Sequence, residues 1–453
     1  MIAFAFALFG LVLLLPTPDG LSPEGHRAAA VFILCVLFWV FQVIPLQVTS
    51  IMAIVLLPIT GVMSAPEAFS LFGNEAVFFI LGAFFISAVL VESGLSTRIT
   101  CLALQRAATT PRRLRLGILF FGAFASFWMS EHAVAAMMYP IVLSVVSAAN
   151  LTPGSRYARS LFLAMAWGCI IGGIATYLGG ARNPLAMGIL FEMTGERIGF
   201  MQWLVADIPI VIVMIGVAVS VLHFHYPLEV IDLPAAARVL EQRIADLGPI
   251  SGREKGVAAV TGGTIFCWVF LHGTVGLGVT AMASVAVFFI LRLTSWQEVE
   301  RSTNWGIFLM YGGAIALGQA LSKTGAADWA VNALLHGWQP HPLILLSIVI
   351  AITMILTEFI SNAAVVSLMM PVVISLAHKF QMSPLIMTFA VALPSGLTFV
   401  LPMGTPATAI ALGSGYPKMK DFFRSGILLL ISAYILFVLA ATLWWPLLGY
   451  QVW

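Results

Sequence analysis

Charge is what this sequence has least of: 21 Lys and Arg and 19 Asp and Glu among 453 residues, 9% in all, for a net charge of +2. A soluble domain carries roughly a quarter charged residues, so the composition excludes one. So small a net charge also gives no reason to expect a nucleic-acid partner. Cysteine is scarce too. Cys35, Cys101, Cys169 and Cys267 lie far apart in apolar runs, without metal-ligand spacing, and read as core residues. Polar connecting sequence is limited to one stretch, Glu229 to Lys255, leaving little for a soluble domain.

What fills the chain is apolar sequence, 61% hydrophobic with a mean hydropathy of +1.04. A helix needs about 20 apolar residues to cross a bilayer. Crossings are expected near 1–15, 28–45, 46–63, 76–92, 158–188, 203–225, 256–271, 274–291, 306–322, 385–412 and 424–447. The first run lacks a basic flank and a small-residue cleavage site, so it reads as a membrane helix and not a signal peptide. Leu95 to Arg115 is basic and amphipathic and is expected along a membrane face. From about 117 to 150 the chain is apolar on both sides of Ser130-Glu131-His132, which predicts a re-entrant hairpin with those residues at its tip. The glycines of 172–180 and Pro184 predict a helix broken inside the membrane.

The plan occurs twice. Ser126, Ser130 and Pro140 return as Thr357, Ser361 and Pro371 after 231 residues, as do Gly82 and Ser93 in Gly313 and Thr324. Gly179-Gly180-Ala181-Arg182-Asn183 returns as Gly404-Thr405-Pro406-Ala407-Thr408 after 225. Repetition at a near-constant shift marks an internal repeat. The expected organisation is a first helix and loop over 1–27, a first repeat over 28–228, a cytoplasmic linker over 229–255 and a second repeat over 256–453. Five crossings per repeat would make the repeats inverted. With the amino terminus inside, Arg27, Arg197, Lys323 and Lys379 fall outside, Arg182 falls in the membrane, and the other sixteen basic residues fall inside, as the positive-inside rule asks. The fold class is an all-α polytopic membrane protein of about eleven crossings, with two hairpins and two broken helices, an architecture of secondary transporters.

Several motifs resemble one family. Thr357-Glu358-Phe359-Ile360-Ser361-Asn362-Ala363, Gly404-Thr405-Pro406, the stretch Gly413 to Asp421, and Phe200-Met201-Gln202-Trp203 ahead of Ile208-Pro209 are similar to the divalent anion/sodium symporters, carriers of dicarboxylates, citrate and sulfate. The resemblance spans nearly the whole chain. It implies a homodimer working by an elevator motion. It implies anion binding at Ser130, Glu131, His132, Arg182, Asn183, Ser361, Asn362, Ala363, Thr405 and Pro406, and sodium binding around Ser126, Ser130, Gly179, Thr357, Ile360, Asn362 and Gly404. No cofactor is expected beyond a coupling sodium ion or proton.

The sequence also departs from the family pattern. The first tip reads Ser130-Glu131-His132 where the family has Ser-Asn-Thr, Ala363 replaces a Thr, Thr408 stands in an Asn position, and Arg182 precedes Asn183. A charged side chain near the bilayer centre costs roughly 2.5–3.5 kcal/mol on insertion scales and is a functional candidate. In one reading Arg182 or protonated His132 supplies the positive charge of a sodium ion, and transport uses protons, exchange or fewer sodium ions. In the other, Glu131 and Arg182 form a structural salt bridge and His132 is only hydrogen-bonded. Glu358 is expected to make a structural hydrogen bond near the second hairpin. His223, His225, His272, His336, His341 and His378 read as interfacial residues. An enzyme is not expected, because neighbouring Ser, Glu and His cannot fold back into a triad. A channel is the alternative from another class. A C4-dicarboxylate is the first candidate substrate, with sulfate, citrate, a sulfonate or a monovalent anion behind it, and a bacterial inner membrane is the expected location.

Overall fold

A computed structural model describes residues 1–335 and 337–450, so His336 lies outside the described residues. Among them every regular element is helical and no strand is present. That follows from the composition, because in hydrocarbon each backbone N–H and C=O must be satisfied within its own segment. Among the described residues eight helices are long and apolar enough to span a bilayer, including Glu75–Glu92, Glu131–Ala148, Phe200–His225, Pro342–Phe359 and Asn362–Lys379, and shorter apolar helices accompany them. The chain is a multi-pass membrane protein.

Boundaries fall where local chemistry puts them. Thr110 accepts a hydrogen bond from the Arg113 N–H and Pro111 opens the next helix. The stretch expected to lie on one membrane face is therefore two elements, a helix Leu95–Ala107 and a hairpin arm Pro111–Ala125. A proline at the first helical position costs no hydrogen bond, which is why the helix begins there. Asp232 similarly caps Leu233–Asp246, an amphipathic helix inside the polar linker. Arg98 holds the end of this linker helix through the Leu247 and Gly248 carbonyls and the Glu254 carboxylate. Arg243 reaches Ser144 on the first hairpin at 2.6 Å.

Close helix contacts rest on small residues. On Arg156–Gly172, a Cβ at Gly168 would lie 2.3 Å from the Leu119 carbonyl oxygen and one at Gly172 2.1 Å from that of Ala123. Small residues four apart let two backbones approach in this way. The repeated glycines have reciprocal partners. Gly82 presses on Ala281, where a Cβ would meet the Ala281 Cβ at 2.7 Å, and Gly313 presses on Ser50, at 2.3 Å from its carbonyl oxygen. Gly313 is Gly82 shifted by 231 residues, and Ala281 is Ser50 shifted by the same amount. Each half thus supplies the glycine to one contact and the small partner to the other. Around these four helices, Leu46–Ile59, Glu75–Glu92, Leu277–Ile290 and Trp305–Lys323, pack the hairpins and broken helices that carry the polar groups.

Candidate functional site

The first hairpin arm ends at Ala125, and the chain turns through 126–130 before helix Glu131–Ala148 begins. The other side of the site is the gap between Arg156–Gly172 and Arg182–Thr194. Turn and gap are bonded to each other. The Glu131 N–H donates to the Gly179 carbonyl at 2.8 Å, and the Thr176 hydroxyl donates to that of Phe127 at 2.5 Å. Gly179 has no room for a side chain, since a Cβ would sit 2.5 Å from the Ser126 carbonyl oxygen. Asn183 spans the gap from within, its Nδ2 donating to the carbonyls of Gly173 and Thr176.

Glu131 and Arg182, brought together as the sequence suggested, form an ion pair of 3.0 Å between Arg182 Nη1 and Glu131 Oε1, with both side chains almost fully buried. His132 is nearby, its Nδ1 3.8 Å from Glu131 Oε1, and is partly exposed. The guanidinium is threaded between two glycines. A Cβ at Gly180 would lie 2.4 Å from Nη1, and one at Gly396, in the other broken helix, 2.0 Å from Nη2. Arg182 Nε and Nη2, Glu131 Oε2 and Asn183 Oδ1 are buried without a hydrogen-bond partner among the described residues. Buried donors of this kind are costly unless something accepts from them.

The second tip is built from neutral groups. Pro342–Phe359 stops at an extended Ile360, and Ser361 caps Asn362–Lys379 by accepting from the Ala364 N–H. Thr357 Oγ1 lies 2.6 Å from the Ser395 carbonyl oxygen and 2.9 Å from Asn362 Oδ1. One hydroxyl proton cannot serve both oxygens. The buried Thr398 hydroxyl, without a hydrogen-bond partner among the described residues, adjoins Gly404, whose Cβ would meet Thr398 Cγ2 at 2.1 Å and the Thr357 carbonyl oxygen at 2.8 Å. Thr405 caps Pro406–Gly413 through the Ala407 N–H, Pro406 is exposed at its start, and Ala363 is buried. Thr408 Oγ1 lies 2.9 Å from the Pro402 carbonyl oxygen and 2.8 Å from that of Thr405, tying down its loop as Asn183 ties down the first.

The two buried acids of the tips have different duties. Glu358 accepts from the N–H groups of Phe399, Val400 and Leu401 at 2.7–3.2 Å. It satisfies backbone freed where the second broken helix is extended, the structural bond expected of it. No hydrogen bond or ion pair among the described residues joins the first tip directly to the second, and Arg182 is the side chain that lies against both breaks.

One group was missed. Asp207, on Phe200–His225, is fully buried, and neither carboxyl oxygen has a hydrogen-bond partner among the described residues. Its signal was a lone acid in an apolar run just before Ile208-Pro209, the same signal that drew attention to Glu131. A cavity of about 470 Å³ lies away from the tips, between Glu75–Glu92 and Arg182–Thr194, with Phe79, Tyr177, Phe191 and Leu277 on its walls and Glu75 and Arg197 among its polar residues.

Comparison with known proteins places the sequence in a family. The sodium:sulfate symporter transmembrane region matches residues 1–451. Relatives include a sodium-dependent dicarboxylate transporter of Staphylococcus saprophyticus, 28% identical over 98% of this chain and 91% of its own. One of Staphylococcus aureus is 28% identical over 95% of this chain and 88% of its own. Among solved structures, the Neisseria gonorrhoeae MtrF protein superposes with a TM-score of 0.58 at 14% identity, over 97% of this chain and 94% of that one. The Alcanivorax borkumensis YdaH transporter gives 0.55 at 16% identity, over 83% and 87%. At those identities the likeness concerns the fold alone. The chain belongs to the divalent anion/sodium symporter family, that of the sodium:sulfate symporter transmembrane region, and is a transporter and not an enzyme.

Proposed function

We propose that this protein is a secondary transporter of a small dianion, with a C4-dicarboxylate the first candidate, and that Arg182 supplies at the first tip the positive charge that a sodium ion supplies in the wider family. The observation that carries this reading is the unpartnered Nε and Nη2 edge of Arg182, buried between the two breaks beside Gly396. A guanidinium edge matches a carboxylate in two parallel hydrogen bonds. Glu131 holds the other side of the group in place, so the ion pair positions the anion site. Ser130, His132 and Asn183 from the first half and Ser361, Asn362, Ala363, Thr405 and Pro406 from the second complete it.

The second tip fits sodium as a co-transported ion. Thr357 Oγ1, Asn362 Oδ1, the Ser395 carbonyl and Thr398 Oγ1 form an oxygen-rich group poor in protons, which is the ligand chemistry a small hard cation takes. At the first tip, Ser126, Ser130 and Gly179 stand beside a guanidinium, and the Gly179 carbonyl already accepts from Glu131, so sodium has weaker claims there. The names of the staphylococcal relatives favour both sodium and a dicarboxylate, while the family description favours sulfate as the second substrate class.

The transport motion is an elevator, in which hairpins and broken helices slide against the four helices joined at Gly82 and Gly313. Their reciprocal contacts support an inverted repeat, and the cavity between Glu75–Glu92 and Arg182–Thr194 marks the seam on the side expected to face outward. The working unit is a homodimer in a bacterial inner membrane with the amino terminus in the cytoplasm. The test is uptake of labelled succinate into proteoliposomes under a sodium gradient, a proton gradient or internal unlabelled succinate. Saturable counterflow that Arg182→Gln abolishes supports the reading. Absence of uptake in all three conditions moves the assignment to sulfate, and single-channel currents would overturn a carrier altogether.

A further inference from the structure

Phe200–His225 is 26 residues long, about 39 Å at 1.5 Å per residue, which exceeds the roughly 30 Å of a bilayer's hydrocarbon core. Its ends therefore reach headgroup depth. At the His225 end four elements are tied into one knot. Arg115 donates to the Tyr226 carbonyl and Arg156 to that of His225, both at 2.7 Å. The Tyr157 hydroxyl donates to the Pro111 carbonyl, also at 2.7 Å. Tyr226 joins the two sides, because its carbonyl holds Arg115 while its hydroxyl lies 3.2 Å from Ser425 Oγ and 3.5 Å from Asp421 Oδ1. The starts of Pro111–Ala125, Arg156–Gly172 and Met419–Leu439 thus meet the end of Phe200–His225.

The knot is electrically one-sided. Arg112, Arg113 and Arg115 enter it from the first of these helices, and Arg156 and Arg159 from the second. Lys418, Lys420 and Arg424 come with the third. Against these eight bases stand two acids: Asp421, 3.8 Å from Arg159, and Glu229, which accepts from the Ser155 hydroxyl and the Tyr157 N–H. The excess is +6 in a chain whose total is +2, so positive charge is gathered here and not merely spread over one face. Several bases elsewhere have a carboxylate within reach, as Arg98 has Glu254, Arg253 has Glu298 and Arg301 has Glu92. Arg112, Lys420 and Arg424 are exposed, and among the described residues their side chains make no hydrogen bond or ion pair. Arg112 is one turn from Arg115, and Lys420 and Arg424 adjoin Asp421 and Ser425, so the three flank Tyr226. Beside them Phe224 and Phe423 are 80% and 61% exposed.

We propose that this knot binds the headgroup of an anionic phospholipid, its phosphate held by Arg112 on one side of Tyr226 and by Lys420 and Arg424 on the other, its acyl chains lying along Phe224 and Phe423. A guanidinium or ammonium without an acceptor of its own is matched by phosphate oxygens. Bases clustered between helix ends at the membrane surface hold such headgroups, and each contributes to the attraction. A zwitterionic phospholipid brings a cation of its own, which the excess of +6 repels. Pro111–Ala125 and Arg156–Gly172 run from the knot to the turn at 126–130 and to the first broken helix, so the bound lipid steadies the elements that carry the first tip. The inference holds whichever anion is transported.

The test titrates the purified protein in a neutral detergent with phosphatidylglycerol, phosphatidylcholine or soluble glycerol phosphate, and reads lipid retained by native mass spectrometry beside the thermal unfolding midpoint. The wild type is expected to retain phosphatidylglycerol and to be stabilised by it, and to gain nothing from phosphatidylcholine. Arg112→Gln, Lys420→Gln and Arg424→Gln together should weaken that retention about a hundredfold, at roughly fivefold for each base. Arg238→Gln, Lys255→Gln and Arg292→Gln together remove as much charge from exposed positions outside the knot and should leave retention within twofold. Equal loss in the two triple variants would reduce the effect to net charge and overturn the site. Equal retention of both lipids overturns it too, and protection by glycerol phosphate equal to that by phosphatidylglycerol replaces the lipid with a soluble anion. If the first triple variant does not fold, Arg112→Gln and Arg424→Gln singly decide the matter, and retention unchanged in both overturns the proposal. No succinate is present, so failure of the anion site at Arg182 leaves these outcomes untouched.

Discussion

Arg182 lies so close to Gly396 that a methyl group added there would fall 2.0 Å from its Nη2. A side chain of the first broken helix is thereby fitted against backbone of the second, and the position of the guanidinium depends on the absence of an atom in the other half. Gly396→Ala should displace Arg182 from its place beside Glu131. Counterflow should fall tenfold or more while stability drops by only about 1–3 kcal/mol, the usual cost of overpacking. Counterflow and thermal unfolding of the same purified sample check this, and unchanged counterflow would mean the edge toward Gly396 has no part in transport.

Removing one partner of the buried pair leaves a charge with no compensation. Glu131→Met or Arg182→Met alone is expected to cost about 3–5 kcal/mol, and the double variant to regain most of it. The double variant should still not transport. Thermal melts in detergent supply the first comparison and counterflow the second. A double variant that transports would reduce the pair to packing.

Glu358 answers for three backbone N–H groups. Glu358→Ala leaves them buried and unmet, at about 1–3 kcal/mol for each unsatisfied group. Glu358→Gln keeps one carbonyl oxygen and should lose less. The ordering of melting temperatures, wild type above Gln above Ala, is the check, and equal values for all three would contradict the capping role.

Outside the crossings, hydrogen bonds from Arg98 outweigh burial and bring Glu254 down from an ordinary value near 4.5 to about 2. A carboxyl depressed on folding contributes stability that is complete above its unfolded value and is lost as pH falls through its folded one. The attachment of the linker to Leu95–Ala107 should therefore weaken between about pH 4.5 and pH 2. Limited proteolysis within 229–251 by an acid-active protease reads this directly. Glu254→Gln should show the same cleavage at pH 7, and resistance at both pH values would sever the link between this ion pair and the linker.

The hairpins, broken helices and charged first tip were legible because each is a local anomaly: glycine, proline or charge within apolar sequence. Asp207 was equally visible and was passed over beside the motif Ile208-Pro209. Other features could not have been read. The partners of Glu358 lie 41 to 43 residues away, and nothing local indicates that an acid will cap backbone rather than meet a ligand. The matched glycines Gly82 and Gly313 were legible as a pair, but not the exchange of Ala281 and Ser50 between them, since that depends on how the halves interlock. The start of the first hairpin was expected six residues late because the basic residues after Thr110-Pro111 drew attention away from the helix start.

The compensated pair of Glu131 and Arg182 has an electrical consequence. Within the pair the two charges cancel, so Glu131 and Arg182 together add nothing of their own to a transmembrane current. Bringing a bare dianion into a cell that is negative inside would oppose about 2.3 kcal/mol per charge for each 100 mV, roughly twice that in all. Every cation carried along removes one charge from that toll, and two of them render uptake indifferent to voltage.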